Sequence, residues 1–155
     1  MDEQAFLDVM ASVVSPVTVV TAMIGDRPHG TTVSAFCSLS LDPPMVVVAL
    51  DRRSDLRQGI EAGTPVGINV LGSDHSDLAR QFARKGFDKF DGVEWTLDNG
   101  VPRILGAPGW LVCEASDVVP GGDHVLVLCT VSECEHCDAA PLAYHNRIFG
   151  THAPA

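Results

Sequence analysis

Gly30-Thr31-Thr32-Val33-Ser34-Ala35-Phe36-Cys37-Ser38-Leu39-Ser40-Leu41-Asp42-Pro43-Pro44 runs directly into the apolar hexapeptide Met45-Val46-Val47-Val48-Ala49-Leu50. Glycine, alanine and small hydroxyl residues put little bulk on the first segment, so its backbone can lie close against a flat ligand. Pro43 and Pro44 carry no N–H and interrupt any β-ladder before the next strand begins. The stretch reads as a binding loop followed by a buried strand.

Working outward, residues 3–14 place Phe6, Val9, Met10 and Val13 at helical spacing, and Pro16 ends the pattern. A β-branched strand over 17–22 follows, and Gly25-Asp26-Arg27-Pro28 supplies turn chemistry before the Gly30 segment. Beyond the hexapeptide, Ser54 is placed to cap a short helix carrying Leu56 and Ile60, which Gly63 and Pro65 close. A strand over 66–71 leads to a longer helix, capped by Ser73 or Asp74 and ended by Gly86, with Leu78, Phe82 and Ala83 on one side. Arg84 and Lys85 fall in its expected last turn, where cations complement the helix dipole. The second half gives strands over 110–119, 125–131 and 142–145, the first two joined across Pro120-Gly121-Gly122-Asp123. Three helices beside about six strands, without regular alternation of the two, favour a mainly antiparallel barrel over a doubly wound sheet.

The length of 155 residues suits one domain spanning 1–155. Twenty acidic against ten basic side chains give a net charge of −10, which repels nucleic acid and anionic membranes, so neither is an expected partner. The apolar runs are too short to span a bilayer and no targeting segment is evident, so the cytoplasm is the expected compartment. The cations are concentrated in two groups, Arg52, Arg53 and Arg57, then Arg80, Arg84, Lys85 and Lys89. Two readings stand for them: a site for a small phosphorylated ligand, or solvated helix faces. The odd count of five cysteines argues for reduced thiols. Cys37, Cys113 and Cys129 read as small core residues. Cys134-Glu135-His136-Cys137 offers two thiols and an imidazole to zinc, but no second pair completes the usual four ligands, and no metal site is expected.

No Gly-x-Gly-x-x-Gly or Gly-Lys-Ser/Thr loop follows an expected strand, and no serine sits in a nucleophile elbow. Several separated segments instead occur in one characteristic order: Val17-Thr18-Val19-Val20-Thr21, the Thr32 to Pro44 stretch, Asn69-Val70-Leu71, Phe82-Ala83-Arg84-Lys85 with Asp88-Lys89-Phe90-Asp91-Gly92-Val93, Gly122-Asp123-His124, and Pro141-Leu142 with Tyr144-His145. Together they resemble the flavin reductase-like, FMN-binding split-barrel family, the NAD(P)H-dependent reductase components of two-component monooxygenases.

The resemblance implies a six-stranded antiparallel Greek-key split barrel with a few flanking helices, and an NAD(P)H:flavin oxidoreductase. It implies FMN or FAD as flavin, NADH or NADPH as hydride donor, a homodimer completing the site, and a separate monooxygenase that receives reduced flavin. By position, Ser34, Ala35, Phe36, Cys37 and Ser38 would line the isoalloxazine and ribityl side of the flavin. Asp51, Arg52, Arg53, Ser54, Asp55, Leu56 and Arg57 would meet the phosphate, joined by Arg84, Lys85 and Lys89. His124 would meet the nicotinamide cofactor, with Tyr144 and His145 nearby; the bare residues equally allow His124 as a strand-edge residue. No catalytic side chain is expected, because the cofactors carry the hydride chemistry and the protein positions them. Two departures stand out: Leu56 replaces a hydroxyl frequent in the family, and Asp55 sets a negative charge beside the phosphate. They keep open an alternative, a split-barrel protein that binds flavin, haem or a deazaflavin without reductase turnover.

Overall fold

The computed structural model describes residues 1–86 and 88–155. In chain order its elements are α1 (Glu3–Ala11), β1 (Ser15–Pro16), β2 (Thr18–Ile24), β3 (Arg27–Val33), β4 (Phe36–Leu41), β5 (Pro44–Asp51), α2 (Asp55–Gln58), β6 (Pro65–Val70), α3 (Ser76–Ala83), β7 (Trp95–Asp98), β8 (Val101–Ile104), β9 (Gly109–Gly121), β10 (His124–His136), β11 (Ala143–His145) and β12 (Ile148–Gly150). The fold is mainly β, as expected. Its main sheet has seven strands where six were expected, in the order β3-β2-β6-β9-β10-β5-β4. Every pairing is antiparallel. β3 and β4, the two edges of that sheet, are joined only by Ser34-Ala35, so the sheet must curl until its edges meet there. The Ala49 N–H donates to the Ala35 carbonyl at 2.9 Å and holds the seam.

Period-two alternation on β2 builds two cores at once. Val20 and Ala22 point into the barrel with Val48, Leu50, Ile68 and Val127. Val17 just before β2 and Val19 on it point outward and meet Leu71, Ala79 and Phe82 beneath α3. This double burial is why β2 is apolar on both faces. Buried polar groups tie the outer layer down: Thr21 donates to the Pro102 carbonyl at 2.6 Å, and Asn69 accepts the Ile104 N–H at 2.8 Å.

Four expectations are corrected. The Thr31–Leu41 stretch is strand rather than loop on both sides of Ser34-Ala35. Gly30 serves packing rather than a ligand: a Cβ there would stand 2.8 Å from the Phe82 ring, so α3 can seat only on glycine. Neither Ser73 nor Asp74 caps α3. His75 holds that position without a side-chain bond to the helix, its Nδ1 instead accepting the Gly72 N–H at 3.1 Å. Finally, α1 buries none of its apolar stripe, with Phe6 49%, Val9 63% and Met10 50% exposed.

Candidate functional site

β5 runs out at Asp51, whose carboxylate accepts the Arg53 N–H at 2.8 Å and turns the chain into α2. The Ser54 hydroxyl oxygen caps that helix by accepting the Arg57 N–H at 3.1 Å, and its own proton stays available to donate. Leu56 is the one buried residue of α2 and pins it to the barrel core. Across from this turn, α3 stops at Ala83 because Arg84 adopts extended backbone, ψ 162°. Arg84 and Lys85 therefore leave the helix instead of closing its last turn. Between the two lies a cleft of about 370 Å³ walled also by β3, from Pro28 to Thr31.

Four cations, Arg53, Arg84, Lys85 and Lys89, face two carboxylates, Asp51 and Asp55, in this cleft of an otherwise acidic protein. Arg53 is committed to Asp51 at 3.3 Å. Arg84 and Lys85 are exposed and make no side-chain hydrogen bond or ion pair among the described residues. The half-buried Lys89 donates to the Gly30 carbonyl at 3.1 Å; burial lowers its pKa against the opposing pull of Asp55. His29 on the same wall is also pushed down, by burial first and then by Arg27, with Asp55 opposing.

A second, smaller cleft of about 190 Å³ shares Thr31, Asp51 and Ser54 with the first and adds Ser34, Ala35 and His124. A third, about 570 Å³, shares Thr32 and Ser34 with the second and is walled by Tyr144 and Phe149. The three form one trough along the free edge of β3. Because the Gly30 carbonyl faces that edge to meet Lys89, the Gly30 N–H faces it too, as in any antiparallel strand. His124 stands opposite Asp51 in the ladder and holds its Nδ1 2.8 Å from Asp123 Oδ1, which leaves Nε2 for a ligand.

Of the sequence-derived site residues, the first cleft gathers Asp51, Arg53, Ser54, Asp55, Leu56, Arg84, Lys85 and Lys89, and the second adds Ser34, Ala35 and His124. Tyr144 lines the third. The others lie elsewhere. Phe36 packs against the barrel core, and Cys37 and Ser38 are exposed on β4 outside all three clefts. Arg52 donates from Nε to the His124 carbonyl at 3.3 Å. Arg57 turns to the Ile60 carbonyl at 2.9 Å and lines a separate depression beside Asp117. His145 is exposed and lines none of the three. Leu56 touches the first cleft but is only 2% exposed, so it is a core residue before it is a ligand contact. Sequence reasoning missed Thr31, Thr32, His29, Arg80, Arg147 and Phe149, although Arg80 lay within a recognised basic group.

The Cys134 to Cys137 segment is the extended end of β10, and Glu135 within it pairs with Arg103. Among the described residues no three His, Cys, Asp or Glu side chains gather to hold a metal ion. Burial pushes the Cys113 thiol up to about 12 and the Cys129 thiol to about 11, so both are inert packing groups.

Residues 10–153 match the family described as flavin reductase like domain. The chain belongs to that family. It is 39% identical to the NADH:riboflavin 5'-phosphate oxidoreductase of Streptomyces pristinaespiralis, over 97% of this chain and 89% of that protein. It is 35% identical to the reductase component of the 4-nitrophenol 4-monooxygenase/4-nitrocatechol 2-monooxygenase of Rhodococcus opacus, over 99% of this chain and 83% of the relative. Among solved structures it superposes on a Streptomyces globisporus NADH:FAD oxidoreductase in complex with NAD and FAD fragments, with TM-score 0.92 and 31% identity over 99% of this chain and 94% of that one. As a flavin reductase family member it must hold a flat tricyclic ring and a phosphate in one site. The trough offers a free strand edge at one point and unpaired cations at another, and the residues fit both groups.

Proposed function

We propose that this chain is an NADH:flavin oxidoreductase that reduces FMN or FAD and releases the reduced flavin to a separate flavin-dependent monooxygenase. The observation that carries the reading is the continuous trough, with Arg84 and Lys85 unpaired at its cationic end and Ser34, Ala35 and His124 further along it. Arg84 and Lys85 bind the flavin phosphate, and the Ser54 hydroxyl donates to it. Asp55 opposes that phosphate and weakens the hold, which suits a flavin that leaves after reduction. Backbone groups of Ser34 and Ala35 orient the ring, and His124 Nε2 accepts from the nicotinamide donor. The flavin itself supplies the capacity to accept a hydride.

The chain works as a homodimer. The support is α1, whose exposed Phe6, Val9 and Met10 form an apolar stripe that nothing within the chain covers. No helix among the described residues is long and apolar enough to cross a membrane, and the cytoplasm, which supplies NADH, is the proposed compartment.

The test is steady-state oxidation of NADH by pure protein with FMN or FAD, with reduced flavin read directly under anaerobic conditions. Turnover with either flavin is expected. Tight flavin binding without NADH consumption above the buffer rate would replace the reductase with a flavin-binding protein.

A further inference from the structure

The third cleft is larger than a flavin phosphate site needs, and its far wall is the β11–β12 hairpin. Three observations meet there. Tyr144 and Phe149 set their ring centroids 5.1 Å apart, and the Arg80 guanidinium lies 5.1 Å from the Phe149 centroid. The hairpin turns on Asn146 and Arg147, both left-handed at φ 48° and 65°. Glycine suits the second of these positions far better than a long side chain, so the turn alone does not account for Arg147. Its guanidinium instead lines the cleft opposite Arg80. Each arginine is paired, Arg147 with Asp8 at 3.1 Å and Arg80 with Asp77 at 3.0 Å, but all four side chains are more than half exposed. Such pairs are weak and exchange readily for a polyphosphate.

We propose that this cleft binds the adenosine diphosphate half of the dinucleotide hydride donor, with Tyr144 and Phe149 as the stacking surface for the purine and Arg80 and Arg147 as the cations for the pyrophosphate. The proposal rests on the reductase reading and deepens it. Thr32 and Ser34 are shared with the middle cleft, so a dinucleotide seated here extends its nicotinamide end toward His124. A purine face stacks on aromatic rings, and a guanidinium over the same surface adds to the attraction. A pyrophosphate is matched by two forked donors.

Arg147→Gly is the decisive variant, because relieving the left-handed arginine should leave the melting temperature equal or higher. The KM for NADH should rise about tenfold or more with kcat held, as expected for loss of a charged hydrogen bond to the donor. Arg147→Lys should recover part of that loss. Calorimetric titration with ADP-ribose reads the same site without flavin or turnover: wild-type protein should bind it, and Arg147→Gly and Phe149→Leu should bind it at least several-fold more weakly. Unchanged KM and unchanged ADP-ribose affinity in both variants, with wild-type NADH oxidation intact, would overturn the proposal and leave the reductase standing. A parallel loss of thermal stability and FMN affinity in Arg147→Gly would also overturn it, by making Arg147 structural. Wild-type protein that oxidises no NADH with either flavin would remove both readings together.

Discussion

Arg103 and the Arg84-Lys85 pair show two uses of positive charge in one acidic protein. Arg103, on β8, donates to Asp98 at 3.0 Å and to Glu135, and its guanidinium lies 5.6 Å from the Trp110 ring centroid. These bonds, chiefly that to Glu135, raise its pKa further. It clamps the β7–β8 hairpin onto β10 and has nothing left to offer a ligand. Arg84 and Lys85 stand in the open with no partner among the described residues. A cation answered inside the chain holds structure, whereas one left unanswered at the mouth of a cleft is available to an anion.

The sharpest way to break that contrast is at the cleft's own apolar anchor. Leu56 touches the cleft yet is 2% exposed in the barrel core, so Leu56→Thr should cost about 2–4 kcal/mol of stability through the lost burial and a buried hydroxyl. FMN affinity should not improve, although a hydroxyl at this position is frequent in the family. Thermal melts beside a flavin-fluorescence titration decide it; tighter FMN binding with an unchanged melting temperature would show that Leu56 belongs to the site and not to the core.

Charge reversal at the open end should come next in size. Lys85→Glu should weaken FMN binding by about 10–100-fold while riboflavin, which lacks the phosphate, is nearly unaffected. The melting temperature should hold, since Lys85 makes no contact to lose. Equal losses for the two ligands would move the phosphate elsewhere in the trough.

How far the sequence reached follows from where each signal lies. The central strands were legible because β-branched residues alternate on them, and Ser54 was legible as a cap because capping is local. The β7–β8 hairpin was missed although Asn99-Gly100, left-handed at φ 48° and 81°, is a strong local turn signal. The end of α3 had no such signal. The Gln81 amide donates to the carbonyls of Lys89 and Asp91 at 2.8 and 2.9 Å, drawing the following loop back on the helix and away from a regular last turn. Gly30 was ambiguous for the same reason: the ring that needs its missing Cβ is Phe82, far along the chain. Site residues near Ser54 and Lys85 were found through charge and the family's motifs. Arg147 and Phe149 were not, because only the folded hairpin brings them to the trough.

The paired arginine gives the smaller effects. Arg103→Met keeps much of the cover over Trp110 and should cost about 1 kcal/mol, with FMN affinity unchanged. Any loss of flavin binding would mean that the β7–β8 clamp and the trough are coupled.

The last and smallest effect is a pH dependence. The bond from Arg103 holds the Glu135 carboxyl below its ordinary pKa. A folded-state pKa below the unfolded one means that the bond's contribution is fully present above the ordinary carboxylate range and is lost as pH falls through the folded value. Melting temperatures of wild type should therefore drop between about pH 5 and pH 3 by more than those of Arg103→Met, which has no bond left to titrate. Asp51, held low by Arg53, and Asp123, held low by His124, fall over the same range in both proteins and cancel in the difference. The gap between the two curves isolates the clamp, and because Glu135 is exposed it should shrink in 1 M salt. Parallel curves at every pH would show that Arg103 is held by Trp110 and Asp98 alone, and that its closure against Glu135 adds nothing to the hairpin.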